Sequence, residues 1–134
     1  MISTKEILSK YKNIALVGAS KDLNKTSSVV MKFLQRYGFK IYPVNPFIKD
    51  KKILEENVFE KVSDIKSSVE IVNVFRPSSE AEDIAKEAVK IGAKVLWLQL
   101  DIKNNKAKKI AEDNDMIYIE DKCTKIEFEK YFKR

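Results

Sequence analysis

The chain of 134 residues contains no histidine, and this absence excludes several kinds of active site. It rules out a Ser-His-Asp or Cys-His nucleophile pair, a phosphohistidine carrier and nearly all catalytic zinc sites. The single cysteine, Cys123, excludes a disulfide framework or a zinc cluster and favours a reducing environment. No apolar run approaches the roughly 18 residues of a membrane-spanning helix, and residues 1–11 lack the apolar segment of a signal peptide. We therefore predict a cytoplasmic protein without a membrane partner.

Glycine and proline are also scarce, with three of each in the whole chain. Linkers between domains are commonly rich in these residues, and the sequence shows neither such a stretch nor an internal repeat. Apolar residues make up 44% and charged residues 34%, which is typical of a globular protein with a core. We predict a single domain over residues 1–134, a size that one core supports.

The net charge is +6 and the isoelectric point is about 9.3, so an anionic partner is expected. The lysines are interleaved with acidic residues, and only residues 103–109 are locally dense in lysine. That stretch has none of the aromatic residues on which single-strand binders stack bases. The charge therefore favours a small anionic ligand and argues against nucleic acid.

Short apolar runs alternate with amphipathic helical patterns along the chain, as in folds with a parallel sheet. Capping boxes at 3–6, 79–82 and 124–127, a cap at Ser27 and the pattern over 104–114 mark the helices. The predicted strands are 13–17, 40–44, a short edge strand at 57–59, 70–75, 94–100 and 116–119. This order predicts an α/β, Rossmann-like, doubly wound parallel sheet of five to six strands with helices on both faces.

In such sheets a ligand binds at the carboxyl ends of the strands, where the strand order reverses. The loop after the first strand has only one glycine, so it is a poor NAD fingerprint. It is nevertheless suited to phosphate, because it offers small residues, hydroxyl groups, ammonium groups and a helix N-terminus. Ser27 is either the cap of that helix or a phosphate contact. The candidate phosphate-binding residues are Gly18, Ala19, Ser20, Lys21, Lys25, Thr26 and Ser27.

The end of the second strand bears on which nucleotide is bound. An NAD site needs Asp or Glu there to bind the ribose hydroxyl groups, whereas this chain has Asn45 and Pro46. Lys49, Lys51 and Lys52 follow, and with a neutral amide they favour a ribose that carries an extra phosphate. NADP and coenzyme A (CoA) are such nucleotides. A plain turn at Asn45 and Pro46 is the alternative interpretation.

Six short motifs at these positions, in order and with similar spacing from about Asn13 to Phe128, resemble the small stand-alone CoA-binding proteins. These are similar to the CoA-binding domain of the succinyl-CoA synthetase alpha subunit. The motifs are Val17-Gly-Ala-Ser20, Lys25 with Ser27, Pro43-Val-Asn-Pro46, Val74-Phe-Arg76, Leu98-Gln99, and Asp121-Lys-Cys123 with Ile126-Glu127.

The resemblance implies a Rossmann-like domain that holds CoA at its carboxyl edge. It places the phosphates at the Gly18–Ser27 loop, the adenosine part beside Asn45 and Pro46, and Phe75, Arg76 and Pro77 along the ligand. The chain departs from the family where Ile53-Leu54 is followed by Glu55 instead of glycine, so we expect a different turn there. It also has Asn73 where many relatives have aspartate, which removes a charge that we expect near the site.

The sequence predicts a binding protein without chemistry of its own. The synthetases that share this domain use a histidine on another domain, and Asp101, Asp121 and Glu127 show no spacing that pairs them as acid and base. No catalytic residue and no metal ligand is predicted. The alternatives are an NADP-binding redox sensor or oxidoreductase fragment, and an interaction domain with a vestigial cleft. The oligomeric state is open, with a homodimer or a partner enzyme as candidates.

Three further candidate contacts each have a structural alternative. Arg76 either donates to a phosphate or amide of the ligand or caps a carbonyl group. Gln99 either donates to the pantetheine arm or completes the end of its strand. Cys123 is either a small buried hydrophobe or a thiol activated by a helix N-terminus and by Lys122 and Lys125, able to form a mixed disulfide with CoA.

Overall fold

The computed structural model describes residues 2–48 and 51–132 of the chain. Strands and helices alternate along most of it, as the sequence pattern predicts. The strands are β1 (Asn13–Val17), β2 (Lys40–Val44), β3 (Lys52–Ile53), β4 (Glu56–Asn57), β5 (Ile71–Val74), β6 (Val95–Leu98) and β7 (Ile117–Ile119). The helices are α1 (Thr4–Lys10), α2 (Thr26–Arg36), α3 (Ala81–Lys90), α4 (Asn105–Asp113) and α5 (Thr124–Phe132), with short 3₁₀ turns at Val62–Asp64 and Ser78–Glu80.

The main sheet has five parallel strands in the order β2-β1-β5-β6-β7. The chain moves outward from β1 to β2, then crosses back to β5 on the other side of β1. The carboxyl ends of β1 and β5 therefore form the point where strand order reverses, and a ligand cleft is expected there.

Two hydrophobic cores cover the two faces of this sheet. Side chains of α1, α2 and α5 pack against one face, where Trp97 is the largest fully buried side chain. Alanines of α3 and α4 pack against the other face and let these helices approach the sheet closely. The predicted Rossmann-like α/β fold, with helices on both faces, is therefore confirmed.

The edge strand that we predict at 57–59 is only partly present. Phe59 forms a single parallel bridge with Val44, while Glu56–Asn57 pairs instead with Lys52–Ile53 in a separate hairpin. The two central turn residues, Leu54 and Glu55, have φ values of 48° and 72°, the left-handed conformation of a type I′ turn. Glu55 therefore adopts a conformation that glycine favours, although the glycine is absent.

Three of the predicted helix caps are wrong. Lys25, not Ser27, is the N-cap residue of α2, and Ser27 lies in the first turn. A 3₁₀ turn occupies Ser78–Glu80, so Glu80, not Ser79, precedes α3. The Thr124 hydroxyl bonds Asn73 and Gln99 instead of its own helix end, because residues distant in sequence provide its partners.

The longest helix among the described residues, α2, has 11 residues. None of the helices in that part of the chain has both the length and the apolar composition of a membrane-spanning helix.

Candidate ligand-binding site

The loops after β1 and β5 touch each other at the point where strand order reverses. Gly18 has a φ of 97°, and a Cβ atom built on it would lie 2.9 Å from the Phe75 carbonyl oxygen and 3.1 Å from the Arg76 Cδ atom. Real Cβ atoms essentially never approach a carbonyl oxygen so closely, so only glycine fits this position. Two cavities open beside this contact, and both include Gly18, Asn45 and Arg76 in their walls.

The smaller cavity has a volume of about 390 Å³ and lies between the loop after β1 and the start of α2. Lys25 and Arg76 give it two positive charges, and Ser20, Thr26 and Ser27 contribute hydroxyl groups. None of the described residues that line it is acidic. The charge of Lys25, which no acidic residue of this lining balances, lies beside hydroxyl donors and favours an anionic ligand. Nine of the predicted site residues line it: Gly18, Ala19, Ser20, Lys25, Thr26, Ser27, Asn45, Phe75 and Arg76.

The backbone donors of this cavity are at the helix, not at the glycine. The N–H groups of Gly18 and Ala19 both donate to the Val44 carbonyl oxygen, at 3.0 and 3.3 Å. Within the described part of the chain, the N–H groups of Thr26 and Ser27 have no acceptor, as is usual in the first turn of a helix. These two N–H groups, with the partial positive charge of the helix end, can therefore bind an anion.

Arg76 stands where the two cavities meet and forms an ion pair with Glu80. Its Nε and Nη2 atoms donate to the two carboxylate oxygens at 3.0 and 2.7 Å. These hydrogen bonds raise the pKa of Arg76 and lower the pKa of Glu80, so both groups are charged at neutral pH. The guanidinium nevertheless retains N–H groups outside this pair, so a ligand can still bind it.

The larger cavity has a volume of about 420 Å³ and lies on the α3 side of the sheet. Val17, Val44, Val62 and Ile84 supply its apolar lining. Its polar lining mixes both signs of charge, in contrast to the smaller cavity, because acids and lysines both contribute. The charged residues are Glu60, Lys61, Arg76, Glu80, Asp83, Lys86, Glu87 and Lys90. Pro46 lines only this cavity and not the smaller one. Ten of the fourteen predicted site residues therefore line one cavity or the other.

Asn45 connects the two cavities through its side-chain amide. Its Nδ2 atom donates to the Ala19 carbonyl oxygen at 2.8 Å, and its Oδ1 atom accepts from the Phe47 N–H at 2.8 Å. Asn45 therefore fixes the loops after β1 and β2 relative to each other, which a simple turn would not require. Lys49, which we predict to attract a phosphorylated ribose, lies outside the described residues.

The other four predicted site residues line neither cavity. Lys21 and Pro77 are exposed on the loops beside the smaller cavity. Cys123 is buried in the core that covers the α2 side of the sheet. Its placement supports the interpretation as a buried hydrophobe rather than as a contact for CoA.

Gln99 lies in the interior, in a polar network that the sequence does not predict. Its Oε1 atom accepts from the Asn73 Nδ2 atom at 2.9 Å and from the Thr124 N–H at 3.1 Å. Asn73 is fully buried and also donates to the Trp97 carbonyl oxygen. Asn73 therefore lies inside the protein, contrary to our expectation that it removes a charge from the site.

Sequence reasoning missed the wall of the larger cavity that α3 and residues 60–62 provide. The contribution of α3 and of Glu80, the residue before it, recurs at helical spacing, at Glu80, Asp83, Glu87 and Lys90, beside the buried alanines. That pattern was available as a signal, but a solvated helix face gives the same pattern. Only the packing of α3 beside the loop after β4 shows that these residues face a cavity.

Both the sequence and the fold of this chain are similar to those of known proteins. A family model described as a CoA binding domain matches residues 12–129. The Bacillus subtilis protein YneT, itself uncharacterized, is 35% identical over 122 residues, which are 91% of this chain and 89% of YneT. A solved hypothetical protein from Pyrococcus horikoshii OT3 superposes with a TM-score of 0.91 at 35% identity, covering 95% of this chain and 88% of that one.

Larger proteins contain a related domain. An ADP-forming acetate–CoA ligase from Methanocaldococcus jannaschii is 30% identical over 87 residues, which are 65% of this chain but only 12% of the ligase. A dinucleotide-forming acetyl-coenzyme A synthetase from Ca. Korarchaeum cryptofilum superposes with a TM-score of 0.67 at 25% identity, over 80% of this chain and 25% of the synthetase. The match of the family model to most of the chain, which agrees with the resemblance in the motifs, shows that this chain belongs to the CoA-binding domain family.

Proposed function

We propose that this protein binds CoA or acyl-CoA at the two joined cavities and catalyses no reaction by itself. The observation that carries the proposal is the contrast between the cavities. One is positively charged and has free helix N–H groups, and the other has an apolar lining and balanced charge. Two parts of CoA match this contrast, because its diphosphate is anionic and its adenine base is planar and largely apolar.

The diphosphate of CoA occupies the smaller cavity in this proposal. The N–H groups of Thr26 and Ser27 donate to the phosphate oxygens, and Lys25 neutralises their charge. Arg76, from the loop after β5, contributes the N–H groups that Glu80 does not bind. Gly18 and Ala19 serve by leaving room for the phosphates, since their own N–H groups are already bonded to Val44.

The adenosine part occupies the larger cavity, where Pro46 and the apolar lining surround the base. Both cavities have volumes within the range of about 300–1,000 Å³ that is common for small-molecule sites. Because Gly18, Asn45 and Arg76 belong to both walls, one ligand can extend continuously from one cavity into the other.

Two of the candidate acid–base carboxylates, Asp121 and Glu127, have structural partners, which supports a role in binding. Glu127 is buried and accepts a hydrogen bond from the Thr4 hydroxyl at 2.7 Å. Asp121 accepts from the Asp101 N–H at 2.8 Å, so its carboxylate stabilises a turn. Acid–base catalysis needs a positioned group within hydrogen-bond reach of the ligand, and neither carboxylate lines a cavity.

Isothermal titration calorimetry and thermal unfolding with CoA, dephospho-CoA, NADP and NAD test this function. We expect CoA to bind most tightly, and a ligand at 100 times its Kd to stabilise the fold by about 2.7 kcal/mol. Binding of NADP but not of CoA would replace the proposal with an NADP-dependent role. Binding of none of the four would contradict it and favour an interaction domain.

A further inference from the structure

Phe47 is an unusually exposed aromatic residue at the edge of the larger cavity. It is 89% exposed, more than any other large hydrophobic side chain among the described residues, and it is part of the cavity wall. Single exposed hydrophobic residues are common on protein surfaces, so exposure alone shows no function. What distinguishes Phe47 from other exposed hydrophobic residues is its position in the wall of a cavity.

The backbone at Phe47 is held by the residue that connects the two cavities. Asn45 accepts the Phe47 N–H with its Oδ1 atom at 2.8 Å, and its carbonyl oxygen accepts the Ile48 N–H at 3.4 Å. The same side chain donates to Ala19, on the loop that borders the smaller cavity. The backbone of Phe47 is thus fixed relative to the cavity that we assign to the phosphates.

The larger cavity that Phe47 borders has aliphatic side chains in its wall as well as charged ones. Val17, Val44 and Ile84 are part of the same lining. A planar aromatic group placed in this cavity would lie among aliphatic side chains, with Phe47 at the rim. Aromatic rings stack on purines with little dependence on the edge groups of the base, so Phe47 needs no polar partner for this role.

We infer that Phe47 covers the adenine of bound CoA and so contributes directly to affinity. The inference rests on the proposed function, since it takes the base to occupy the larger cavity. It adds a binding residue that is largely exposed to solvent in the free protein and becomes buried when the ligand binds.

The test compares Phe47→Ala and Phe47→Trp with the unchanged protein by calorimetric titration with CoA. We expect Phe47→Ala to raise the Kd for CoA about tenfold or more and Phe47→Trp to retain the affinity. Tyr131→Ala is the matched control, because it removes another exposed aromatic ring that lines neither cavity, and its Kd should be unchanged. Circular dichroism verifies that every variant is folded.

Fluorescence gives a second readout in the Phe47→Trp variant. The natural Trp97 is fully buried, so acrylamide quenching reports mainly on the introduced indole. CoA should protect that indole from quenching. An unchanged Kd in Phe47→Ala, or an indole that stays equally accessible with CoA bound, would overturn the inference while leaving the proposed function intact. Failure of the unchanged protein to bind CoA would contradict both.

Discussion

The two cavities meet at the same three residues, yet they differ in how their walls are built. The loop after β1 and the start of α2 supply most of the smaller cavity, a stretch of only ten residues from Gly18 to Ser27. The larger cavity combines the ends of β1 and β2 with residues 60–62 and one face of α3. A local wall can be predicted from its own sequence, whereas a wall assembled from distant segments depends on packing.

The cavities also differ in how far their charges are balanced. In the smaller cavity Lys25 and Arg76 have no acidic residue beside them in the described lining, although Glu80 neutralises part of the Arg76 charge from the other side. In the larger cavity acids and lysines alternate along α3, with ion pairs such as Lys90–Glu87 at 3.5 Å. Charge selectivity for a phosphate should therefore reside in the smaller cavity.

Gly18→Ala should have the largest effect, because Gly18 belongs to both cavities. The added Cβ atom meets the Phe75 carbonyl oxygen at 2.9 Å, and a φ of 97° is strained for alanine. We expect a loss of about 3 kcal/mol in the free energy of unfolding and a large loss of CoA affinity, measured by urea denaturation and calorimetry. Gly38→Ala is the control, since it has a similar φ but open space around the Cβ atom, and it should cost about 1 kcal/mol. Equal losses in the two variants would contradict the close contact at the cavities.

Gln99→Ala should destabilise the protein without weakening CoA binding. It removes an acceptor for the buried donors of Asn73 and Thr124, so the free energy of unfolding should fall by about 2–3 kcal/mol. Its neighbour Leu100 is half exposed, and Leu100→Ala should change stability by less than about 0.5 kcal/mol. A raised Kd for CoA with unchanged stability would instead show that Gln99 contacts the ligand.

Lys25→Glu tests the smaller cavity alone, because Lys25 lines that cavity and not the larger one. We expect the Kd for CoA to rise about thirtyfold, equivalent to about 2 kcal/mol, with little change in stability. Lys32→Glu on the same helix changes the net charge equally at an exposed position that lines neither cavity. Calorimetry that finds the same loss in both variants would mean that only the overall charge matters.

Glu55→Gly should have the smallest effect and act on neither cavity. Because Glu55 has a φ of 72°, glycine should relieve strain and raise the free energy of unfolding by about 1 kcal/mol. Asn57→Gly is the control. Asn57 lies in β4, where glycine should destabilise the same hairpin slightly. Thermal unfolding would contradict this account of the turn if both variants moved stability in the same direction.

The fold could be predicted well because its signals are local. Short apolar runs, three of them followed closely by glycine or proline, indicate the five main strands, and the alternation with helices indicates the parallel order. The predicted cap at Ser3 is confirmed, since its hydroxyl accepts the Glu6 N–H, but the capping box of Thr124 and Glu127 is wrong. Their side chains bond Asn73 and Thr4, residues 51 and 123 positions away in the sequence, so local cap chemistry does not decide their partners.

The candidate site could be predicted where one segment carries it and not where tertiary contacts do. Lys25, Thr26 and Ser27 were identified from hydroxyl and ammonium groups at a helix start. Gln99 was assigned to the site because it ends a strand at the correct edge, but a buried amide on the neighbouring strand binds it instead. The absence of a catalytic role and the single-domain organisation remain predictions from the sequence.

The most direct test of the central claim is an amide NMR titration of the ¹⁵N-labelled protein with CoA. If the phosphates bind at the helix start and the base binds beside α3, CoA should cause its largest amide chemical-shift changes at Thr26, Ser27, Lys61 and Glu87. Large shifts confined to the turns around Asp101 and Asp121, with Thr26 and Ser27 unmoved, would contradict that placement.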